Sequence, residues 1–293
     1  MKILAIDFDG VIVDSVLESL FIGHNAYLRL YGRGKRKYFG GELFAFENWE
    51  ETKKQHQEEI KYYRTLRPYI RGATDYGLIQ NLIEENKFIK NQEEFDNYRK
   101  TVKFDFENYE KEFYEERERL QNKDYRAWFN LEPPYSKVIE GIKKLLEEET
   151  KIVIATSNSR KAIARTFTPE YFGFTMKPED ILDRRYGENK SKQMKQIVKL
   201  YKVKFEEIYF VDDQLSHLIQ ARPLGVKVFL AGWSYATDIQ KEEAGKQNIP
   251  IIEKEDDFYP MVKNYLKDTI LGGGSLLKRK NRKGEKKDED SRL

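Results

Sequence analysis

The stretch Ile3-Leu4-Ala5-Ile6-Asp7-Phe8-Asp9-Gly10-Val11-Ile12-Val13-Asp14-Ser15 decides how this chain is read. Four apolar residues in a row form a short buried strand, and the run ends in two carboxylates at i and i+2, followed by glycine. Side chains two apart on an extended chain point the same way, so Asp7 and Asp9 are pushed together. They stand at the strand's C-terminal end, where open α/β sheets bind ligands. Two uncompensated carboxylates repel one another. A bound divalent cation is the natural compensation, and oxygen-only ligands suit magnesium.

Outward from this strand the period changes. Val16, Leu17, Leu20, Phe21, Tyr27, Leu28 and Tyr31 recur at helical spacing, and Gly32 closes the helix. A basic loop follows at Gly32–Lys37. Phe95, Tyr98, Val102, Phe106, Tyr109 and Phe113 form an apolar stripe that reads as one long, charged helix. Residues 16–132 are therefore expected to be all-helical, until Pro133-Pro134 breaks the pattern. Strand and helix then alternate. Ile152–Ala155, Ile208–Val211 and Val226–Leu230 read as strands, and Ile249–Ile252 as an edge strand whose proline cannot donate to a central ladder. Helices are marked by Val138, Ile139, Ile142, Leu145 and Leu146, and by Met194, Ile197, Val198 and Tyr201. Such alternation predicts a mostly parallel sheet with helices on both faces.

The 293 residues suffice for one large domain or two ordinary ones. There is no cysteine, which removes disulfides, thiol nucleophiles and thiolate metal sites. No apolar run is long enough to cross a membrane, and no signal-peptide pattern precedes Asp7, so a cytoplasmic location is expected. The net charge of +3 misleads. Residues 271–293 hold eight Lys/Arg and four Asp/Glu, and without them 45 basic residues face 46 acidic ones. A body this neutral does not suggest a nucleic-acid binder. Gly272-Gly273-Gly274-Ser275 leads into a flexible, charged tail.

The segment around Asp7 resembles the signature of the haloacid dehalogenase (HAD) superfamily, and three later segments match its further motifs in order. They are Thr156-Ser157-Asn158 after a strand, Asn189-Lys190-Ser191-Lys192 before a helix, and Asp212-Asp213 at a strand end. The resemblance implies an α/β fold, a HAD-type, Rossmann-like core with a central parallel sheet plus an all-helical cap. The core would comprise 1–15 and 133–270, the cap 16–132, and the tail 271–293. Asp7 would be the nucleophile and Asp9 the general acid/base. Thr156 and Lys190 would stabilise the phosphoryl oxygens, with Gly10, Ser157 and Asn158 contacting substrate. Lys190 fits better than Lys192 because it lies four residues before Met194, the first apolar helix position. Magnesium would be held by Asp7, the backbone carbonyl of Asp9 and Asp213, with Asp212 ligating through water or as support. His217 departs from the pattern, which usually has Asp or Asn there. It reads as an ordinary helix residue, because the expected metal prefers oxygen.

The implied activity is that of a magnesium-dependent phosphatase, similar to the phosphoglycolate phosphatase-like group, acting on a small phosphorylated metabolite. A sugar phosphomutase and a non-catalytic binding protein retaining the site are the other readings. Asp9 separates this chain from the dehalogenase branch, and the P-type ATPase signature is missing. Arg33, Arg64, Arg67, Arg71 and the Lys35–Lys37 cluster could meet a second anionic group on the substrate. Arg67 and Arg71 stand out because they flank Pro68 and Gly72, although solvated surface is the ordinary reading of each.

Overall fold

The computed structural model describes residues 1–32, 39–186 and 189–268. The basic loop at 33–37 and the tail at 271–293 lie outside these residues. Six strands form one sheet: β1 (Ile3–Ile6), β2 (Lys151–Ala155), β3 (Ile181–Leu182), β4 (Ile208–Asp212), β5 (Lys227–Ala231) and β6 (Ile251–Ile252). Their order is β3-β2-β1-β4-β5-β6 and every pairing is parallel. The first strand is thus central, and β6, which begins just after Pro250, is an edge, as the sequence predicts. The short β3 pairs outside β2 and has no counterpart in the sequence reading; two residues carry no readable period.

Side-chain alternation builds the layers. Leu4 and Ile6 of β1 join Ile152, Ile154, Tyr209 and Val211 in one apolar cluster, while Ile3 and Ala5 join Val153, Ala155, Ile208 and Phe210 in another. Both faces are buried, which is why these strands read as continuous apolar runs.

Among the described residues, seven helices lie between β1 and Pro133. They are α1 (Val16–Tyr31), α2 (Trp49–Gln55), α3 (Gln57–Leu66), α4 (Ala73–Glu84), α5 (Gln92–Thr101), α6 (Phe106–Lys123) and α7 (Tyr125–Phe129). Their buried residues, with Tyr235, form a third apolar cluster. The stripe from Phe95 to Phe113 spans two helices, not one. Residues 102–105 interrupt it, and the Asp105 side chain caps α6 by accepting the Asn108 amide. The rest of the chain supplies α8 (Ser136–Glu147), α9 (Arg160–Ile163), α10 (Lys190–Tyr201), α11 (Leu215–Ala221), α12 (Asp238–Lys246) and α13 (Phe258–Asp268). Val138, Ile142 and Phe258 cover one face of the sheet, and Met194, Ile197 and Leu218 the other.

The chain leaves the sheet and returns to it along one track. Asp14 N–H donates to Pro133 O and Tyr135 N–H to Ile12 O, both at 2.9 Å. These bonds anchor the helical layer over the end of β1. No helix among the described residues is long and apolar enough to cross a membrane.

Candidate active site

Strands β1, β2 and β4 are in register, with Ile6 opposite both Ile154 and Val211, so their C-terminal ends are level. Asp7 follows the end of β1, Thr156 follows the end of β2, and Asp212 closes β4. Helix α10 starts at Lys190 beside them. Asn189 caps it, its side chain accepting the Ser191 amide.

Lys190 is fully buried. Its Nζ donates to Asp7 Oδ1 at 2.9 Å and to the Ala155 carbonyl at 2.6 Å, and lies 3.4 Å from Asp212 Oδ2. Lys192 is exposed. Carboxylate oxygens of Asp7 and Asp212 come within 4.8 Å of each other. At an effective dielectric of about 20 such a pair repels by roughly 3–4 kcal/mol, and the ammonium between them offsets this. Burial nevertheless pushes the Asp7 carboxyl up to about 6; Lys190 counters the rise and Asp212 adds to it.

Asp212 and Asp213 are adjacent but differ in environment. Asp212 Oδ1 accepts the Gln214 amide at 2.9 Å, and His217 Nδ1 lies 3.1 Å from both carboxylate oxygens. An ionised carboxylate only accepts, so Nδ1 carries the proton. Burial alone would raise Asp212, but His217 and Lys190 outweigh it and hold its carboxyl below the usual range. Asp213 is also buried, yet neither of its oxygens has a hydrogen-bond partner among the described residues. Burial and the Asp212 charge push its carboxyl well up. An orphaned buried carboxylate beside Asp7 is a donor set that suits a hard divalent cation, and the residues present fit magnesium. Asp7, Asp212 and His217 also form a compact triad. Since His217 Nδ1 is engaged by Asp212 and magnesium prefers oxygen, the oxygens of Asp7 and Asp213 are the better ligands. His217 is therefore more than an ordinary helix residue: it is the buried partner of Asp212.

Gly10 has a positive φ of +79°, and its amide is committed to the Val13 carbonyl at 2.8 Å. A Cβ there would lie 2.6 Å from Asp213 Oδ2 and 2.7 Å from the Tyr235 ring. Glycine is required so that Asp213 and Tyr235 can close on this turn. Thr156 is buried; its hydroxyl accepts the Asn158 amide at 2.9 Å. Asn158 Nδ2 donates to Asp9 Oδ2 at 3.4 Å.

Asp7, Asp9, Ser157, Asn158 and His217 line a cavity of about 40 Å³, which Arg67, Arg71, Tyr76, Phe113, Tyr114 and Arg117 from the helical layer also line. That is room for about three water-sized groups. Arg67 is only 3% exposed, so the solvated-surface reading does not hold for it. Its guanidinium lies over the Tyr235 ring at 4.6 Å, and its Nε and Nη1 have no hydrogen-bond partner among the described residues. Arg71 is tied to Asp96 at 2.7 Å and Arg64 to Asp14 at 2.9 Å. Arg33 and Lys35–Lys37 lie outside the described residues.

Glu18, Arg117 and Glu132 are among the buried charged residues that the sequence reading did not name. Arg117 Nε and Nη2 grip Glu18 at 2.7 and 3.0 Å, and its Nη1 donates to Asn158 Oδ1 at 2.7 Å. Both oxygens of Glu132 lack a partner among the described residues; burial, then the charges of Glu18 and Asp9, push its carboxyl well up.

A family model described as haloacid dehalogenase-like hydrolase matches residues 1–225. No curated protein matches the sequence. Among solved structures, a protein from Lactobacillus delbrueckii subsp. bulgaricus, described as a candidate phosphoglycolate phosphatase, is similar at 12% identity. It has a TM-score of 0.59, with 89% of this chain and 99% of that one covered. A predicted phosphoglycolate phosphatase from Haemophilus somnus matches at 13% identity and a TM-score of 0.54, covering 90% and 98%. A haloacid dehalogenase-like hydrolase from Streptococcus pneumoniae matches at 11% identity and 0.53, covering 91% and 99%. At these identities the likeness is one of fold.

Proposed function

This chain belongs to the haloacid dehalogenase-like hydrolase family, and from that premise we propose that it is a magnesium-dependent phosphatase acting on a small phosphomonoester. The reading rests above all on one observation. The Lys190–Asp7 pair stands beside Asp213, a buried carboxylate that has no hydrogen-bond partner among the described residues.

In the proposed reaction an Asp7 oxygen attacks phosphorus in line, and the bond from phosphorus to the ester oxygen breaks. Asp9 gives its proton to the departing alkoxide. Asp9 then takes a proton from the water that attacks the aspartyl-phosphate, releasing inorganic phosphate and restoring Asp7. Lys190 holds Asp7 in place and neutralises charge shared with the phosphoryl oxygens. Thr156 supports the loop that carries Ser157 and Asn158. Magnesium, held by Asp7, the Asp9 carbonyl and Asp213, would supply charge compensation between the nucleophile and the phosphoryl group. Asp212, braced by His217, keeps Lys190 from leaving this position.

The helical layer supports a compact substrate. The cavity is small, and Arg67, which lines it, keeps two donors without partners among the described residues, matching a second anionic group on the same small molecule. Purified protein with magnesium should release phosphate from an aryl phosphate, and Asp7→Asn should lose this activity by about a thousandfold or more while keeping its circular dichroism spectrum. Wild-type protein inert across a broad panel of phosphorylated metabolites would overturn the proposal in favour of a binding protein.

A further inference from the structure

Asn158 touches two very different partners. Its Oδ1 accepts from Arg117 Nη1 at 2.7 Å and from the Ser159 amide at 2.8 Å, while its Nδ2 faces Asp9 Oδ2 at 3.4 Å. The direction of this amide follows from chemistry. A guanidinium and a backbone N–H only donate, so the Asn158 atom facing both must be oxygen. The NH₂ group is thereby turned toward Asp9.

Arg117 is itself held rigidly. Two of its nitrogens clasp both oxygens of Glu18, a residue of α1, and Trp128 Nε1 of α7 donates to Glu18 Oε1 at 3.1 Å. The guanidinium also lies over the Phe113 ring at 5.0 Å. An ion pair serving only the helical layer would be complete with Glu18. The third prong instead crosses to the loop after β2, in the wall of the cavity that holds Asp7 and Asp9.

We infer that Arg117 is a positioning residue that acts through Asn158: it fixes the amide so that Nδ2 donates to Asp9 and sets that carboxyl for proton transfer. The inference rests on the acid/base role proposed above for Asp9. It has a structural corollary. While α6 stays packed over the β2 loop, Arg117 joins the Ser159 amide in holding this donor on Asp9, so the packing of the helical layer tightens the setting of the proton-transfer group.

The test compares kcat/KM, with magnesium present, for p-nitrophenyl phosphate and phenyl phosphate. The two differ little in shape, but only the second has a leaving group that needs a proton. Because Arg117→Met alone strands the buried Glu18 charge and threatens folding, the main variant is the neutral pair Glu18→Gln/Arg117→Met, checked by thermal melting. It should lose at least tenfold more activity on phenyl phosphate than on p-nitrophenyl phosphate, with KM for both moved alike. Arg117→Lys, which keeps one donor for Asn158, should fall between this variant and wild type. In an Asn158→Ala background the Arg117 change should leave the ratio unmoved. Equal losses on the two substrates, or additive effects of Arg117 and Asn158, would overturn the inference. Asp9→Asn is the reference. If it shifts the ratio while the Arg117 variants do not, only this inference falls. If Asp9→Asn leaves the ratio unchanged, the acid/base reading of Asp9 falls and takes the inference with it.

Discussion

Lys190 Nζ lies 2.9 Å from Asp7 Oδ1, and neither side chain is open to solvent. A buried ammonium on a buried carboxylate contributes little net stability, because each ion loses its hydration. Its value lies elsewhere. The pair keeps a strand-end carboxylate ionised and oriented in a setting where burial works against both.

The first prediction follows from that relationship. Lys190→Met should abolish turnover and destabilise the protein by about 3–5 kcal/mol, since Asp7 and Asp212 would be left buried without their cation. Lys192→Met, at an exposed position, should change neither. Urea unfolding and phosphate-release assays on the two variants decide it. Comparable losses at Lys192 would reassign the role.

Metal binding should be pH-dependent, and the sign is fixed by Asp7. Its carboxyl is raised from 3.8 to about 6 in the folded protein, chiefly by burial. A group raised on folding favours the folded state fully below its unfolded value, and that contribution is lost as pH rises through the folded one. Without metal, the stability of Asp7→Asn relative to wild type should therefore grow between about pH 4 and 6, by up to about 3 kcal/mol. Magnesium must displace the same proton, and that on Asp213, so its affinity should fall steeply below about pH 6. Melts with and without magnesium at pH 5 and 7.5 check this. The metal-induced rise in Tm should be large at 7.5, small at 5 and absent in Asp213→Asn. An equal rise at both pH values would contradict it.

Gly10→Ala should act on the same centre from the backbone side. The residue sits at φ +79°, and the added methyl would meet Asp213 and Tyr235 at 2.6 and 2.7 Å. Strain and displacement together should destabilise the protein by more than about 2 kcal/mol, and weaken magnesium binding in proportion to how far Asp213 is pushed. Chemical denaturation with a calorimetric magnesium titration measures both. Unchanged metal affinity would mean that Asp213 does not ligate.

Much of the arrangement was legible because it is local. The run Ile3–Ile6 with Asp7 and Asp9 shows a strand and the acidic pair at its end within seven residues, and the apolar runs before Thr156 and Asp213 likewise show a strand and the polar residues that follow it. Lys190 needed only its distance from Met194. Other features were hidden by superposed patterns. The stripe from Phe95 to Phe113 read as one helix because α5 and α6 feed one apolar cluster and keep nearly the same phase across residues 102–105. Arg117 was lost among the charges of α6, although a signal was present. It falls at i+4 from Phe113 and three residues before Leu120, in the buried stripe of the helix. A charged residue at a core position calls for a buried partner, and Glu18 is that partner. The pairing across 99 residues, by contrast, has no local signature.

The substrate's second charge is the last prediction. Arg67 is buried between Tyr76 and Tyr235, lines the cavity with Asp7 and Asp9, and keeps two guanidinium nitrogens without partners. Unmade hydrogen bonds of a buried cation are expensive, so a ligand that completes them gains affinity. The cavity leaves little space between Arg67 and the phosphoryl site, which calls for an anionic group only a few bonds from the ester. Arg67→Lys should lose about ten- to a hundredfold in kcat/KM for such compact dianionic phosphomonoesters, because an ammonium cannot present two coplanar donors. The same variant should lose much less on phenyl phosphate, which offers no second anion. A panel of short phosphorylated acids, bulky sugar phosphates, a phosphopeptide and a 3′-phosphorylated oligonucleotide completes the comparison. If the macromolecular substrates were turned over more efficiently than every small one, or if Arg67→Lys lost activity equally on all of them, Arg67 would be a packing residue and the helical layer an open platform.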